Sequence, residues 1–263
     1  MNRKMIFFDI DGTIMTENTH ICYESTRKAI KTARENGHLV FINTGRPYCI
    51  VTEDIREIGF DGYVCGCGTY VEYDGEVLFQ RSITHESCLE IVEKLREYKV
   101  EALFESFHGI FFDQTTPDND DIAELKSKFG SQGIDVTKSW DDPGIFFDKF
   151  VVWINEDSDF DAFYKYITGE FDYIDRGNNF GEIVPKGYSK ATGIKLLQEH
   201  LNIPLEDCYA AGDSTNDLPM LEYVPNSIAM GNSTPELFDK VSFITRDIEQ
   251  NGIEYALRHY GII

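Results

Sequence analysis

The sequence predicts an α/β fold in which a parallel sheet is interrupted by an inserted α+β module. Three observations carry that prediction. Short, continuously apolar runs alternate with segments of helical spacing over the first 80 or so residues. Hairpin-like pairs of runs break that rhythm in the middle of the chain, and it resumes near residue 189. Apolar runs without polar alternation belong to strands covered on both faces, as in a parallel sheet flanked by helices.

Taken in order, residues 5–10 (MIFFDI) read as a buried strand ending in a turn signal, and 23–36 as a helix closed by Gly37. Residues 38–43 form a second strand, 48–58 a helix and 61–65 a third strand. Residues 69–74 and 76–79 read as a hairpin around Asp74-Gly75. In the middle, 86–98 is helical, and 100–107 with 109–113 are two strands turning at His108-Gly109. A helix at 118–129, a strand at 149–155 and a helix at 159–168 follow, then a strand pair, 173–176 and 182–184, around Gly177-Asn178. The closing part reads as helix 189–200, strand 208–211, helix 217–223, strand 227–230, helix 235–239, strand 242–244 and helix 252–260. The expected division is a core made of 1–82 and 187–263, with 83–186 as the insertion. There is no internal repeat and no low-complexity linker.

The chain's 263 residues include 46 acidic and 24 basic side chains, a formal charge of −22. A surface that negative repels nucleic acid and anionic membranes, and neither is expected as a partner. No apolar run approaches the roughly 18 residues of a membrane span. The chain opens with Asn2-Arg3-Lys4 and goes straight into a strand, without an export signal, so the expected location is cytoplasmic. The six cysteines (Cys22, Cys49, Cys65, Cys67, Cys88, Cys208) are then expected to stay reduced. Cys65 and Cys67 lack a second pair at zinc spacing and read as small buried residues. A self-contained core with an insertion needs no partner chain, and a monomer is expected.

Four segments carry chemistry. Asp9-Ile10-Asp11-Gly12-Thr13 ends the first strand, where residues two apart point the same way and Asp9 and Asp11 converge. Open α/β sheets bind ligands at such strand ends. Two carboxylates there repel each other unless a cation or proton lies between them, and Mg²⁺ suits an all-oxygen site. Asp11-Gly12 could alternatively be a plain Asx turn. Asn43-Thr44-Gly45-Arg46 ends the second strand, where the Thr44 hydroxyl and the Gly45 amide could hold a phosphate oxygen, or simply cap the next helix. Gly212-Asp213-Ser214-Thr215-Asn216-Asp217 follows a strand and puts a third carboxylate at a strand end; an ordinary loop and helix cap is the alternative. Lys190 opens a helix, where the dipole disfavours a cation; a neighbouring phosphate and acid cluster would explain it. Lys186 reads as an exposed surface lysine. With so acidic a chain, an anionic substrate needs positive charge supplied locally.

These four pieces, in this order along the whole chain, together with the tail Met230-Gly231-Asn232-Ser233, resemble the haloacid dehalogenase superfamily of phosphohydrolases. The wording DIDGT, NTGR, a lone lysine and GDSTND is similar to its Cof-type subfamily. The resemblance implies a Rossmann-like parallel-sheet core with an inserted α+β cap domain that closes over the site. It implies hydrolysis of a small phosphorylated metabolite through an aspartyl-phosphate. Asp9 would be the nucleophile and Asp11 the general acid and base. Asp9, Asp11 (through its backbone carbonyl) and Asp213 would hold Mg²⁺. Thr44, Gly45, Lys190 and Asn216 would bind the phosphoryl oxygens, with Asp217 behind them orienting Lys190 or a metal-bound water. Arg46 is a candidate substrate contact, as is the His108-Gly109 tip. Relatives commonly carry Asn-Gly where this chain has Cys67-Gly68. The aromatic residues of the insertion (Phe104, Phe107, Phe111, Phe112, Phe146, Phe147, Phe150, Trp153) read mostly as core. Two alternatives stand beside hydrolysis: phosphoryl transfer as in a mutase, and a sensor that binds a phosphorylated ligand without turnover. A nucleotide-binding Rossmann module is rejected, because Gly66-x-Gly68 lacks the third glycine and precedes a strand.

Overall fold

The computed structural model describes residues 2–115 and 118–263. In chain order, β1 (Met5–Phe8) leads through α1 (Glu24–Glu35) to β2 (Leu39–Asn43), and α2 (Glu53–Arg56) leads to β3 (Gly62–Cys65). The strands β4 (Tyr70–Tyr73) and β5 (Glu76–Gln80) follow. Next come α3 (His85–Glu97), β6 (Glu101–Ser106), β7 (Gly109–Phe112), α4 (Asp120–Ser131), β8 (Lys149–Trp153), α5 (Phe160–Ile167), β9 (Phe171–Asp175) and β10 (Phe180–Pro185). The chain finishes with α6 (Lys190–Leu201), β11 (Cys208–Gly212), α7 (Leu218–Tyr223), β12 (Asn226–Ala229), β13 (Phe243–Ile244) and α8 (Gly252–His259). It divides into two compact units: Met1–Gly45, Glu53–Phe79 and Ser189–Ile263 in the first, and Arg46–Thr52 with Gln80–Tyr188 in the second.

The first unit is built on an eight-stranded sheet of order β13-β12-β11-β1-β2-β3-β4-β5. Its members from β13 to β3 pair in parallel, and β4 pairs antiparallel to β3. The strands β1 and β2 are buried at every position, which is why they read as unbroken apolar runs. Phe7 stacks on Phe41 across the β1–β2 pair with ring centroids 5.0 Å apart, and each such buried ring contributes about 1.5–3 kcal/mol. Helix α1 buries Thr26, Ala29, Ile30 and Ala33, the i, i+3, i+4, i+7 stripe of a helix on a sheet. Asp74 (φ 50°) and Gly75 (φ 78°) are both left-handed, as a two-residue hairpin turn of this kind requires. Strand β1 lies between β11 and β2, where the connections run off to opposite sides. That point, at the carboxyl ends of the strands, is where such sheets bind ligands.

The second unit is a five-stranded antiparallel sheet of order β7-β6-β8-β10-β9. One face carries Phe104, Phe150, Val152 and Ile183 and packs on Ile91 and Leu95 of α3 and on Phe163 and Ile167 of α5. Leu103, Val151 and Phe112 pack with Ile122 and Phe129 of α4 and with Ile50. The expectation that the insertion's aromatic residues are mostly core holds for Phe104, Phe111, Phe112, Phe147 and Phe150, while Phe107, Phe146 and Trp153 are half-buried.

Two expected helices differ. Over 48–58 the chain makes only a 3-10 turn at Tyr48–Ile50, extends at Val51, and then forms the four-residue α2. Ile50 packs in the second unit and Ile55 belongs to the first, so no single helical stripe can serve both. The segment Pro235–Lys240, opened by a proline, is likewise 3-10. The expected 5–10 strand stops at Phe8, because the Ile10 carbonyl accepts the N–H groups of Thr13, Ile14 and Met15 and turns the chain. No helix among the described residues is long and apolar enough to cross a membrane.

Candidate active site

Asp9 follows β1, and its N–H donates to the Ala211 carbonyl of β11 at 3.0 Å, so the two strand ends are tied together. The turn after it runs through Gly12 at φ 75°, where the backbone passes so close to the Asp213 carboxylate that a Cβ would collide with it. Thr13, fully buried, donates its hydroxyl to Asp213 Oδ1 at 3.0 Å. The sequence DGT therefore does two things: it reverses the chain, and it fixes the acid of the neighbouring strand.

Lys190 is the first residue of α6, and its ammonium is buried between two acids, 2.8 Å from Asp9 Oδ1 and 2.5 Å from Asp217 Oδ1. Asp217 is itself fully buried, and its Oδ2 accepts the N–H groups of Asp213 (2.9 Å) and Ser214 (3.0 Å). Both of its oxygens are thus engaged, one with a cation and the other with a loop backbone. Burial opposes the charge on Lys190, but Asp217 and Asp9 outweigh it and hold the ammonium well above the usual lysine range. The electrostatic misfit of a lysine at a helix start is resolved by the two acids.

Carboxylate oxygens of Asp9, Asp213 and Asp217 lie within 4.8 Å of one another. Burial pushes the Asp9 carboxyl up to about 7, with Asp217 adding to the rise and Lys190 opposing it. Burial and the neighbouring Asp9 push Asp213 up to about 8. Two neighbouring acids, one buried and one half-buried, that both resist ionisation are short of positive charge, and a hard divalent cation with oxygen ligands fits that deficit. The three acids could hold a metal ion, although both oxygens of Asp217 are already engaged by Lys190 and the loop backbone. The Asp11 carboxylate does not join the acidic group; it is about one-third exposed, with His20 Nδ1 3.9 Å away.

The remaining expected residues divide. Thr44, buried, donates its N–H to Val64 and accepts from the Cys67 N–H at 3.2 Å, and Gly45 follows it at the end of the first unit's opening segment. Asn216 Oδ1 accepts the Ser214 hydroxyl at 2.7 Å, within the loop that carries Asp213 and Asp217. Arg46 falls in the second unit, with Nη1 3.5 Å from the Ile50 carbonyl. His108 stacks on Phe146, centroids 4.3 Å apart. Lys186 is exposed and donates to the Thr168 carbonyl, as a surface lysine should. Cys65 and Cys67 are buried, as expected. Two asparagines received no role from the sequence. Asn43 donates to the Lys190 carbonyl at 2.9 Å, and Asn232 joins the Gly12 carbonyl to the Ile248 N–H. Both stood inside motifs that were recognised; neither partner is near in sequence.

Set beside known proteins, the chain matches the model of haloacid dehalogenase-like hydrolases over residues 6–257. It belongs to that family, and within it to the Cof-type phosphatases. More narrowly, it is an enzyme of the phosphoric monoester hydrolase class. A Bacillus subtilis protein named as a candidate phosphatase is 31% identical over 267 residues, with both chains covered completely. An HMP-PP phosphatase of Yersinia pseudotuberculosis is 28% identical over 268 residues, covering 98% of this chain and 95% of the other. Among solved structures, a subclass IIB sugar phosphatase of the superfamily superposes with a TM-score of 0.83 at 26% identity, over 99% of this chain and all of the other.

Proposed function

We propose that the chain is a Mg²⁺-dependent phosphatase of small phosphorylated metabolites that works through an aspartyl-phosphate on Asp9. The observation that carries this reading is the pairing of a buried Asp9, fixed by Lys190, with a half-buried second acid, Asp213, whose carboxyl is pushed up by desolvation and by Asp9. Bound Mg²⁺ would neutralise charge on the phosphoryl group and draw an anion into an otherwise acidic chain. Asp9 attacks phosphorus, a P–O bond to the carboxylate forms and the bond to the leaving alcohol breaks. Asp11 gives that alcohol its proton, then takes one from the water that attacks phosphorus and frees Asp9 with release of inorganic phosphate. Lys190, Thr44, the Gly45 amide and Asn216 hold the phosphoryl oxygens where charge spreads in the transition state. Asp217 keeps Lys190 in place. The second unit, residues 83–186 in the main, is assigned the discrimination of leaving groups, with Arg46 as a contact. The enzyme is proposed to act as a monomer in the cytoplasm.

The relatives' names support two kinds of leaving group, a sugar and that of HMP-PP. The test is phosphate release from a panel of sugar phosphates, HMP-PP and other phosphorylated metabolites, first with Mg²⁺ and then with EDTA. Metal-dependent turnover supports the reading; no release by folded protein with Mg²⁺ across the panel counts against it.

A further inference from the structure

We propose that Asn43 is a positioning residue for the phosphoryl site: its side-chain amide ties the Lys190 main chain to the end of β2. It thereby sets the ammonium that lies between Asp9 and Asp217. The inference rests on the phosphatase reading above and extends it to a residue outside the motif roles. Asn43 ends β2 directly before Thr44 and is fully buried, and its Nδ2 donates to the Lys190 carbonyl at 2.9 Å. The opposite amide orientation would set Oδ1 against that carbonyl, so the hydrogen bond decides the assignment. As oriented, Oδ1 is buried and has no partner among the described residues. A buried acceptor without a donor is a liability that a small apolar residue would avoid. What the asparagine offers in return is the bond to Lys190.

The same junction is braced from a third side. The loop after β3 runs through Gly66, Cys67 and Gly68, all left-handed, and the Cys67 N–H donates to the Thr44 carbonyl at 3.2 Å. Gly68 packs so close to the Ser189 carbonyl that no Cβ fits. The loop holds the Thr44 backbone and packs against the start of α6. Asn43 is the side chain that reaches from the phosphate loop to Lys190 itself. Displacing Lys190 by a fraction of an ångström would alter its distances to Asp9 and to a transferring phosphoryl group, an effect felt in the transition state more than in substrate binding.

The experiment compares wild type with Asn43→Ala and Asn43→Ser, using a substrate the wild type turns over. It reads kcat, KM, inhibition by orthovanadate and by inorganic phosphate, and thermal stability. Expected for Asn43→Ala is a fall in kcat of about tenfold to a hundredfold with KM within about threefold. Orthovanadate, which mimics the five-coordinate transition state, should lose at least about tenfold in affinity while inorganic phosphate loses much less. Asn43→Ser, which keeps a shorter donor, should lie between the two and serves if Asn43→Ala does not fold. Unchanged kcat and vanadate affinity in either folded variant overturns the inference, as does lowered stability with kcat per folded molecule intact. A wild type without metal-dependent phosphate release overturns the phosphatase reading and this inference with it. An active wild type with unaffected variants overturns this inference alone.

Discussion

Lys190 in the first unit and Lys149 in the second are both almost wholly buried, and each ammonium bridges two carboxylates. Lys190 sits between Asp9 and Asp217; Lys149 sits between Glu105 and Glu182. Their settings differ. Lys149 lies in the middle of an antiparallel sheet, directly opposite Glu105 in register on β6 and beside Glu182 on β10. Arg176 adds a second cation 4.0 Å from Glu182, so Glu105 and Glu182 face two bases, with Asp148 as a further acid acting on Glu105. Lys190 lies at the ends of parallel strands, where Asp9, Asp213 and Asp217 cluster around it, three acids to one lysine. Balanced charge across a sheet serves to hold strands together. Unbalanced charge at strand ends, with carboxyls pushed up to about 7 and 8, leaves a place for a cation and an anion to enter. The same trio of groups therefore reads as structure in one region and as chemistry in the other, and the charge left over makes the difference.

The largest effect expected is on Asp9. Asp9→Asn should cut phosphate release by about a thousandfold or more while the circular dichroism spectrum stays unchanged. Near-normal turnover in that variant would break the assignment of chemistry to the first cluster. The two lysines should then fail in opposite ways. Lys190→Met should abolish most turnover. Lys149→Met strands two buried carboxylates and should cost about 3–5 kcal/mol of stability in urea unfolding. A triple replacement of Lys149, Glu105 and Glu182 by apolar residues of similar volume should recover most of that loss, because a buried, balanced set is close to break-even against packing. A triple variant as unstable as the single one would mean that the second cluster also carries more than strand pairing.

Metal and pH sharpen the same contrast at a smaller scale. Asp9 and Asp213 keep their protons in the fold up to about 7 and about 8, well above the carboxylate value of 3.8 for an unstructured chain. Raised folded pKa values mean that the stability they lend is fully present below about pH 4 and is lost as pH climbs through 7 to 8. Mg²⁺ held by these carboxyls, as proposed above, would compete with those protons. In thermal unfolding with EDTA, Asp9→Asn and Asp213→Asn should flatten the fall in Tm between pH 6 and pH 8.5. Added Mg²⁺ should raise the wild-type Tm more at pH 8.5 than at pH 6, by up to about 2–3 kcal/mol of stabilisation at saturation. An equal shift at both pH values would indicate a metal bound away from these two carboxyls.

Much of the first cluster was legible in the sequence because its information is local. Asp9 and Asp11 stand two apart on a strand, Asp213 follows a second strand, and Lys190 is conspicuous as a cation at a helix start. What was not legible depends on partners far away in the chain. Asn43 bonds a residue 147 positions later, and Asn232 bonds one 220 positions earlier. Residues 48–58 read as a helix, yet the segment is divided because Ile50 packs in the second unit while Ile55 belongs to the first. The second cluster was invisible for the same reason: Glu105, Lys149 and Glu182 meet only once the order β6-β8-β10 is known.

The smallest effect concerns Arg176, and it tests whether charge balance in the second cluster matters at all. Its guanidinium is about one-quarter exposed and 4.0 Å from Glu182, beyond hydrogen-bond range, whereas Lys149 is buried and in direct contact with both acids. Water reaches Arg176 and screens it, so Arg176→Gln should cost no more than about 1 kcal/mol in urea unfolding. That loss should shrink further at high salt, which weakens exposed charges and barely affects buried ones. A cost of several kcal/mol, insensitive to salt, would mean that Arg176 neutralises Glu182 as fully as Lys149 does. The cluster would then be a four-charge lattice in which every member is needed, and the second unit's sheet would hold together by charge as much as by its aromatic core.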